Sequence, residues 1–243
     1  MENNLTIIEN IVRGNGIELE QSQVEKLGRY FELLIEYNQK FNLTSITEVH
    51  EVALKHFADS MVEAGNYKAD ATVLDVGSGA GFPGIPLAIA RPDLKITLVD
   101  SLNKRIEFLK VVIEELGLKN VVPEHSRAQE FCTDERREKF DYCIARAVAP
   151  MNILLELCVP FVKVDGYFVG YKSVNLDVEL TEAKNAMGIL GVKLENVKDV
   201  VLSSETVNNG EILQRKIAYL KKIKSTPKKY PRAKNLIKTK PIV

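Results

Sequence analysis

The 243-residue chain has 45% hydrophobic and 27% charged residues, which is ordinary for a globular protein. Its 33 Lys/Arg and 33 Asp/Glu residues give a formal net charge of zero. No apolar run approaches the ~18 residues of a membrane helix, and the start of the chain has no basic, signal-like stretch. We therefore predict a cytoplasmic protein that does not bind membranes.

The first 66 residues are predicted to be helical and to form an N-terminal cap. In its second segment, apolar residues recur at the spacing of one helix face, from Val24 through Leu27 and Phe31 to Leu34. A third helix is predicted to begin near Glu48 and to carry His56, which can be a packed histidine or a site residue.

From residue 72, short β-rich runs alternate with helical stretches. Strands are predicted at 72–76, 95–100, 120–124, 140–145 and 167–172, and helices at 84–91, 103–117, 151–163 and 176–190. This alternation is typical of βαβ units and a parallel sheet.

Two more strands are predicted at 196–202 and 211–221, separated by a polar turn at 203–210. Such a pair is expected to be antiparallel and to lie at the edge of the sheet. The predicted fold is therefore a doubly wound α/β domain, residues 67–223, between the helical cap, residues 1–66, and a C-terminal tail, residues 224–243.

The tail carries much of the basic charge. Residues 212–243 hold eleven Lys/Arg and no Asp/Glu, so the rest of the chain holds 22 basic and 33 acidic residues, a net charge of −11. A basic end on an acidic body favours a polyanionic partner. The Pro- and Lys-rich sequence from Lys224 is predicted to be irregular.

The most informative motif is a glycine loop at 73–84, where a strand becomes a helix. Gly77 and Gly79 permit a tight turn there and let a ligand approach the backbone. Asp100 ends the next strand, where a carboxylate can accept hydrogen bonds from both ribose hydroxyls of an adenine nucleoside.

Residues 79–84 also match the GxGxxG pattern of dinucleotide-binding proteins. Two features favour S-adenosylmethionine over NAD. Asp75 precedes the glycines, where it can face a sulfonium, and Pro83 and Pro86 lack the N–H groups that a pyrophosphate needs. An NAD-dependent oxidoreductase and a tight turn without a ligand remain the alternatives.

Other strand ends supply further candidate residues, because ligands of open parallel sheets bind beyond the carboxyl ends of the strands. Ala128 and Gln129 follow the third strand and can read the edge of an adenine, or form an ordinary helix start. Arg146 ends the fourth strand and would face the transferred methyl group. Lys172 ends the fifth and would contact phosphate or the acceptor. Both are also compatible with solvated surface positions.

The three cysteines favour no metal site and no nucleophile. Cys132, Cys143 and Cys158 lie far apart without a CxxC pair, which predicts a reduced compartment and no zinc. A cytosine-C5 methylase would need a nucleophilic cysteine in the active-site loop, and the sequence has none there. The Asn/Asp-Pro-Pro-aromatic loop of amino-group methylases is also absent.

Over nearly its whole length the sequence resembles the bacterial RsmG family, also called glucose-inhibited division protein B. The resemblance lies in six segments: 42–47, 55–60, 75–86, 99–105, 145–147 and 226–232. The glycine loop is generic, whereas Asp100-Ser101-Leu102-Asn103-Lys104-Arg105 together with the Pro-Arg segment of the tail is specific.

The resemblance implies a class I methyltransferase fold with an N-terminal helical cap, and methylation of N7 of one guanine in 16S ribosomal RNA. It implies S-adenosylmethionine as the donor, bound in part by Gly77, Phe82, Ala128, Gln129 and Arg146. The substrate would be 16S rRNA, free or in the small ribosomal subunit. We also expect RNA contacts from Lys172, Lys228, Lys229 and Arg232, and a monomer.

Guanine N7 has a lone pair and no proton, so it needs no general base, and the enzyme's task is to position donor and acceptor. Arg146 and Lys172 would act catalytically by holding phosphate or guanine O6. Removing the tail after Lys222 is expected to weaken RNA binding and to leave donor binding intact. A methyltransferase for a small molecule or a protein, and a non-catalytic RNA-binding module, are the competing hypotheses.

Overall fold

The computed structural model describes residues 3–173, 175–204 and 210–242. Most of the turn predicted at 203–210 lies outside these residues. Among the helices described, none is long and apolar enough to span a membrane.

The cap is helical, as predicted. It contains α1 (Asn4–Gly14) and α2 (Gln21–Phe41), then a continuous helical stretch of α3 (Val49–Glu51), a π-helix (Val52–Ala58) and α4 (Asp59–Met61), and a 3₁₀ turn (Ala64–Asn66). A capping box of Glu20 and Gln23 begins α2, whose apolar face is buried. No sequence pattern indicated the π-helix, a feature that is frequent at functional sites.

In the described residues, seven strands form one sheet in the order β3-β2-β1-β4-β5-β7-β6. They are β1 (Thr72–Val76), β2 (Lys95–Asp100), β3 (Val121–His125), β4 (Phe140–Arg146), β5 (Val162–Lys172), β6 (Val192–Ser203) and β7 (Ile212–Lys222). β1 to β5 are parallel, whereas β7 runs antiparallel to both β5 and β6. The doubly wound sheet and the antiparallel edge pair are confirmed.

The helices of this domain cover both faces of the sheet. They are α5 (Gly84–Ala90), α6 (Asn103–Glu115), α7 (Ala128–Phe131), α8 (Met151–Cys158), a 3₁₀ turn (Val159–Phe161), α9 (Leu176–Glu182) and α10 (Lys184–Leu190). Two predicted helices are shorter than expected. The helix predicted at 151–163 ends early because Val162 already begins β5, and the one predicted at 176–190 divides at Ala183.

The cap and the sheet share one hydrophobic core. Ile8 of α1 and Leu27 of α2 belong to the same buried cluster as Val73 of β1 and Leu98 of β2. A second cluster lies on the opposite face, against α8 and α10. The cap is therefore packed rigidly over one face, and its third helical stretch approaches the carboxyl ends of the strands.

The prediction of an irregular tail is confirmed for residues 224–233 and is wrong for the short helix that follows them. Residues Lys234–Thr239 form α11, and Tyr230 and Ile242 are buried in the second core cluster. Ile237 is also buried. These apolar side chains are spaced too widely among the lysines to give a periodic signal, so their packing was not visible in the sequence.

Candidate active site

Two cavities lie at the carboxyl edge of the parallel strands. The first, of about 750 Å³, is lined by the ends of β1, β2 and β3, including Gly77 and Asp100. The second, of about 570 Å³, is lined by the cap and by the ends of β4 and β5, including His56 and Arg146. Residues 147–150, which we call the shared segment, line both cavities. Ligands in the two cavities would thus lie on either side of one short loop.

The glycine loop forms one wall of the first cavity. Gly77 and Gly79 have φ angles of 76° and 59°, in the left-handed region that favours glycine. A Cβ atom at Gly77 would lie 2.7 Å from Cγ2 of Val148 in the shared segment. Glycine at position 77 is therefore required both by the turn and by the close approach of the opposite wall.

Asp100 braces this loop from the end of β2. Its Oδ2 accepts hydrogen bonds from the Gly79 amide (2.9 Å) and the Arg105 guanidinium (3.1 Å), and its Oδ1 accepts from the Leu102 amide (2.9 Å). A carboxylate has about four acceptor positions, and these three hydrogen bonds leave one of them for a ligand. A second position would become available only if Arg105 moved away. Asp100 lines the cavity as predicted, but the structure leaves less room for two ribose hydroxyls than the sequence suggested.

Ala128 and Gln129, at the start of α7, line the same cavity. Sequence analysis missed Ser101, which also lines it and is exposed. The available signal was its position directly after Asp100 in the most family-specific segment.

Asp75 lies under the glycine loop and does not line the cavity. Its Oδ2 accepts the Gly84 amide at 3.0 Å, whereas its Oδ1 has no hydrogen-bond partner although it is buried. Burial raises the pKa of this carboxyl from 3.8 to about 7, against the opposing effects of the Gly84 amide and Arg146. The expectation that Asp75 faces the ligand directly is not met, because the loop covers it.

Phe82 joins the glycine loop to the cap. Its ring stacks on His56 with 4.3 Å between the ring centroids, and it contacts Tyr30 of α2 at 5.4 Å. The Phe82 ring does not line the first cavity. The side chain therefore helps to position the cap.

Arg146 lies at the centre of the second cavity's wall. Its Nη1 donates to Asp59 Oδ2 at 2.7 Å and to the Lys55 carbonyl, in the π-helix, at 2.9 Å. Its Nη2 lies 3.2 Å from His56 Nδ1. His56 Nδ1 also lies 3.2 Å from the Lys55 carbonyl, and His56 Nε2 lies 3.0 Å from the Thr44 hydroxyl. Nδ1 accepts from Arg146 in one tautomer of the ring and donates to the Lys55 carbonyl in the other.

His56 is held in a neutral state by its surroundings. Burial and then the positive charge of Arg146 lower the pKa of His56 from 6.5 to about 3. With both of its nitrogens engaged, the ring is a positioning element for Arg146.

Asp59 supplies the counter-charge for two arginines. The fully buried carboxylate pairs with Arg146 and, through Oδ1, with Nε of Arg215 on β7 at 3.2 Å. Asp59 and Arg215 both line the second cavity, and neither was predicted as a site residue. The residues are 156 positions apart in sequence, so only the fold brings them together.

Comparison with known proteins identifies the family. The family model described as "GidB: rRNA small subunit methyltransferase G" matches residues 23–208. The chain belongs to this family. The protein named ribosomal RNA small subunit methyltransferase G of Alkaliphilus metalliredigens is 46% identical over 230 residues, which cover 93% of this chain and 94% of that protein. Its counterpart in Desulforamulus reducens is 44% identical over 244 residues, or 99% of both chains.

Solved structures support the fold of this GidB-family protein. A crystal structure of M. jannaschii TYW2 in complex with AdoMet has a TM-score of 0.53 and 18% sequence identity, and the match covers 68% of this chain and 75% of that one. The predicted class I methyltransferase fold is confirmed. An rRNA methyltransferase is not an NAD-dependent oxidoreductase, so that alternative is removed.

In this GidB-family chain, Lys172 is engaged within the protein. Its Nζ donates to the carbonyl of Ala149, in the shared segment, at 2.7 Å and pairs with Glu179 at 2.6 Å. The same Glu179 oxygen accepts the Met151 amide at 2.8 Å. Lys172 lines the second cavity, but with its charge paired and its side chain 9% exposed, it positions the shared segment in this structure.

The tail residues expected to bind RNA differ from one another. Lys228 and Lys229 are exposed and take part in none of the ion pairs of the described residues. Arg232 instead donates three hydrogen bonds to the buried Glu156 carboxylate of α8, from its backbone amide, Nε and Nη2, at 2.6–2.8 Å. Arg232 is therefore an anchor of the tail. Lys229 lies over the Tyr230 ring with 5.3 Å between Nζ and the ring centroid, and the RNA contacts expected from the two lysines stay a prediction.

Proposed function

We propose that this protein transfers a methyl group from S-adenosylmethionine to N7 of a guanine in 16S rRNA, in the cytoplasm. The observation that carries the proposal is the pair of cavities joined by the shared segment. One cavity has the glycine loop and acidic strand end of a nucleoside site, and the other has two partly buried arginines paired with the buried Asp59. Membership of the GidB family supports rRNA as the acceptor.

The residues around the first cavity fit the donor. The absence of a Cβ at Gly77 lets Val148 pack closely against the loop without closing the cavity, and the remaining acceptor position of Asp100 suits a ribose hydroxyl. Ala128 and Gln129 would meet the adenine. Behind the loop, the ionised form of Asp75, whose Oδ1 has no hydrogen-bond partner, would add negative potential that suits a cation. S-adenosylmethionine supplies an electrophilic methyl group on a sulfonium.

The second cavity suits the guanine. Arg146 and Arg215 match the O6 and N7 acceptors of a guanine edge or a nearby phosphate. Their shared partner Asp59 offsets one of the two positive charges, which limits repulsion of a cationic donor. The donor role that the resemblance implies for Arg146 stays a prediction, since its guanidinium lines only the second cavity.

The reaction requires no proton transfer before the methyl group moves, because the guanine N7 lone pair is available at neutral pH. This agrees with the site, where His56 is neutral and hydrogen-bonded at both nitrogens. The protein's contribution is then alignment of the two reactants, which can supply roughly 7–11 kcal/mol of barrier reduction.

The direct test uses tritiated S-adenosylmethionine and small ribosomal subunits that lack the modification. Stripped 16S RNA and free GTP run alongside, and the labelled RNA is cleaved chemically at N7-methylguanine. Label at one guanine N7 supports the proposal, and the subunit-to-RNA ratio identifies the working substrate. Binding of the donor without label in any RNA would overturn the acceptor.

A further inference from the structure

We propose that the C-terminal segment 230–242 is both a wall of the donor site and a binding surface for RNA phosphates, so that RNA and donor strengthen each other's binding. The inference rests on the proposed function for the identity of the donor and the polyanion. Three observations support it: the segment is anchored at both ends, it lines the first cavity, and most of its positive charges are unpaired.

The segment is anchored at both ends of α11. Before the helix, Arg232 forms its bidentate pair with Glu156 of α8, and Arg137 donates to the Tyr230 carbonyl. After the helix, Ile242 is buried in the core cluster against the α8 side of the sheet. α11 is therefore a docked element with a fixed position relative to α8.

This docking places α11 on the first cavity. Lys234, Ile237 and Lys238 line it together with Ile153 and Leu157 from the α8 side. Ile237 is only 2% exposed, so it fixes the helix while the two lysines flank it at the cavity rim. Removing the segment would take away one side of the donor site, which overturns our expectation that truncation after Lys222 leaves donor binding intact.

Most positive charges of β7 and the tail together are uncompensated. Of the eleven basic residues in 212–243, five form ion pairs in the described part of the chain, namely Arg215, Lys216, Lys221, Lys222 and Arg232. The six lysines from Lys224 onward form none there, and all six are exposed. An adjoining depression of about 440 Å³ shares Arg127, Gln129 and Lys234 with the first cavity. These cations suit the phosphodiester backbone of RNA.

Lys234 and Lys238 are four residues apart on a six-residue helix, and like charges at this spacing destabilise a helix. A phosphate near them would relieve the repulsion and hold α11 in its docked position, which completes the donor cavity. Because linkage is reciprocal, RNA must then tighten donor binding by the same factor by which the donor tightens RNA binding.

The wall is tested first without RNA. Donor affinity is measured by calorimetry for Ile237→Ala and for the matched control Leu236→Ala, whose side chain is 46% exposed on the same helix and does not line the cavity. We expect Ile237→Ala to weaken the donor about tenfold, the scale of removing one apolar side chain from the wall of a binding site, and the control to change it by less than about twofold. Thermal unfolding confirms that both variants are folded. Equal donor affinities for the two folded variants would contradict the proposal that α11 forms a wall of the donor site.

The coupling is tested by repeating the titration with unmodified small subunits present and with S-adenosylhomocysteine in place of the donor, so that no methyl transfer consumes the ligand. We expect the subunit to tighten this binding to the wild-type protein at least about fivefold, as for a typical coupling between sites. The double variant Lys234→Gln/Lys238→Gln should lose this gain, whereas Lys224→Gln/Lys240→Gln, which removes two tail charges away from the cavity, should keep it. Equal loss in both double variants, or no gain in the wild type, would overturn the coupling. A protein that shows the gain without methylating rRNA would overturn the proposed acceptor alone.

Discussion

The two cavities are constructed differently. The first is lined by the ends of β1, β2 and β3, by the beginnings of α6 and α7 and by α8, with Asp100 holding the glycine loop in place and the tail closing one side of it. The second is formed by charged side chains from the cap, β4, β5 and β7, neutralised in part by the buried Asp59. The difference implies that changes to the second cavity should impair methyl transfer much more than donor binding, and that changes to the first should do the reverse.

The largest effect is expected from Arg146→Lys. Lysine keeps the charge that compensates Asp59 but lacks the planar fork that reaches Asp59, the Lys55 carbonyl and His56 together. We expect single-turnover methyl transfer to rRNA to fall about 100-fold or more, the scale of a small misplacement of the reactants. If donor affinity fell as far as the transfer rate, Arg146 would belong to the donor site, and the distinction between the two cavities would be contradicted.

Asp75→Asn should stabilise the protein at alkaline pH. The folded-state pKa of about 7 lies above the unfolded value of 3.8, so the carboxyl lowers stability progressively as pH rises from about 4 to 7. Asparagine removes a cost on the order of 2–4 kcal/mol at pH 8. Chemical denaturation at pH 4.5 and pH 8 should show the gain only at the higher pH. The same gain at both values would contradict the buried-charge interpretation.

Asp100→Ala should weaken donor binding by roughly 1.5–3 kcal/mol, as expected for hydrogen bonds to a charged group. The variant removes a ligand contact and also the brace on the Gly79 amide. Calorimetry with S-adenosylmethionine measures the loss. Unchanged donor affinity would contradict the assignment of Asp100 to the ribose.

His56→Gln should expose the fall in stability with rising pH that is expected from Asp75. Because the pKa of His56 falls from 6.5 to about 3 on folding, the histidine makes stability rise with pH across that window, opposite to Asp75. Without His56, the falling contribution of Asp75 should remain, with a difference of about 2 kcal/mol between pH 5 and 6.5. A pH profile parallel to that of the wild type would show that His56 is not a buried neutral ring.

Sequence reasoning recovered the first cavity better than the second, for a physical reason. Gly77, Asp100, Ala128 and Gln129 lie at successive strand ends of one motif, so the topology of a parallel sheet brings them together. Asp59 and Arg215 meet only because the cap and β7 pack against the same edge, and no local pattern encodes that contact.

Burial changes the role expected for several of the candidate site residues. Asp75 lies beneath its loop, Lys172 is paired with Glu179, and Arg232 with Glu156. A sequence shows which side chains can ionise, but not which of them the fold has already paired. The alternation of strands with helices and the helical cap, by contrast, followed from the sequence pattern, and the split of the helix at Ala183 did not.

The most direct test of the two-cavity account is a paired measurement on Arg215→Gln, with Lys216→Gln as the control. Arg215 lines only the second cavity, whereas Lys216, the next residue of β7, pairs with exposed aspartates and lines neither. Donor affinity is measured by calorimetry, and methyl transfer by single-turnover methylation of unmodified small subunits. The account predicts that Arg215→Gln keeps donor affinity within about twofold of the wild type and slows transfer on the order of 100-fold, with both quantities unchanged in Lys216→Gln. Wild-type transfer by Arg215→Gln, or a parallel loss of donor binding, would contradict it.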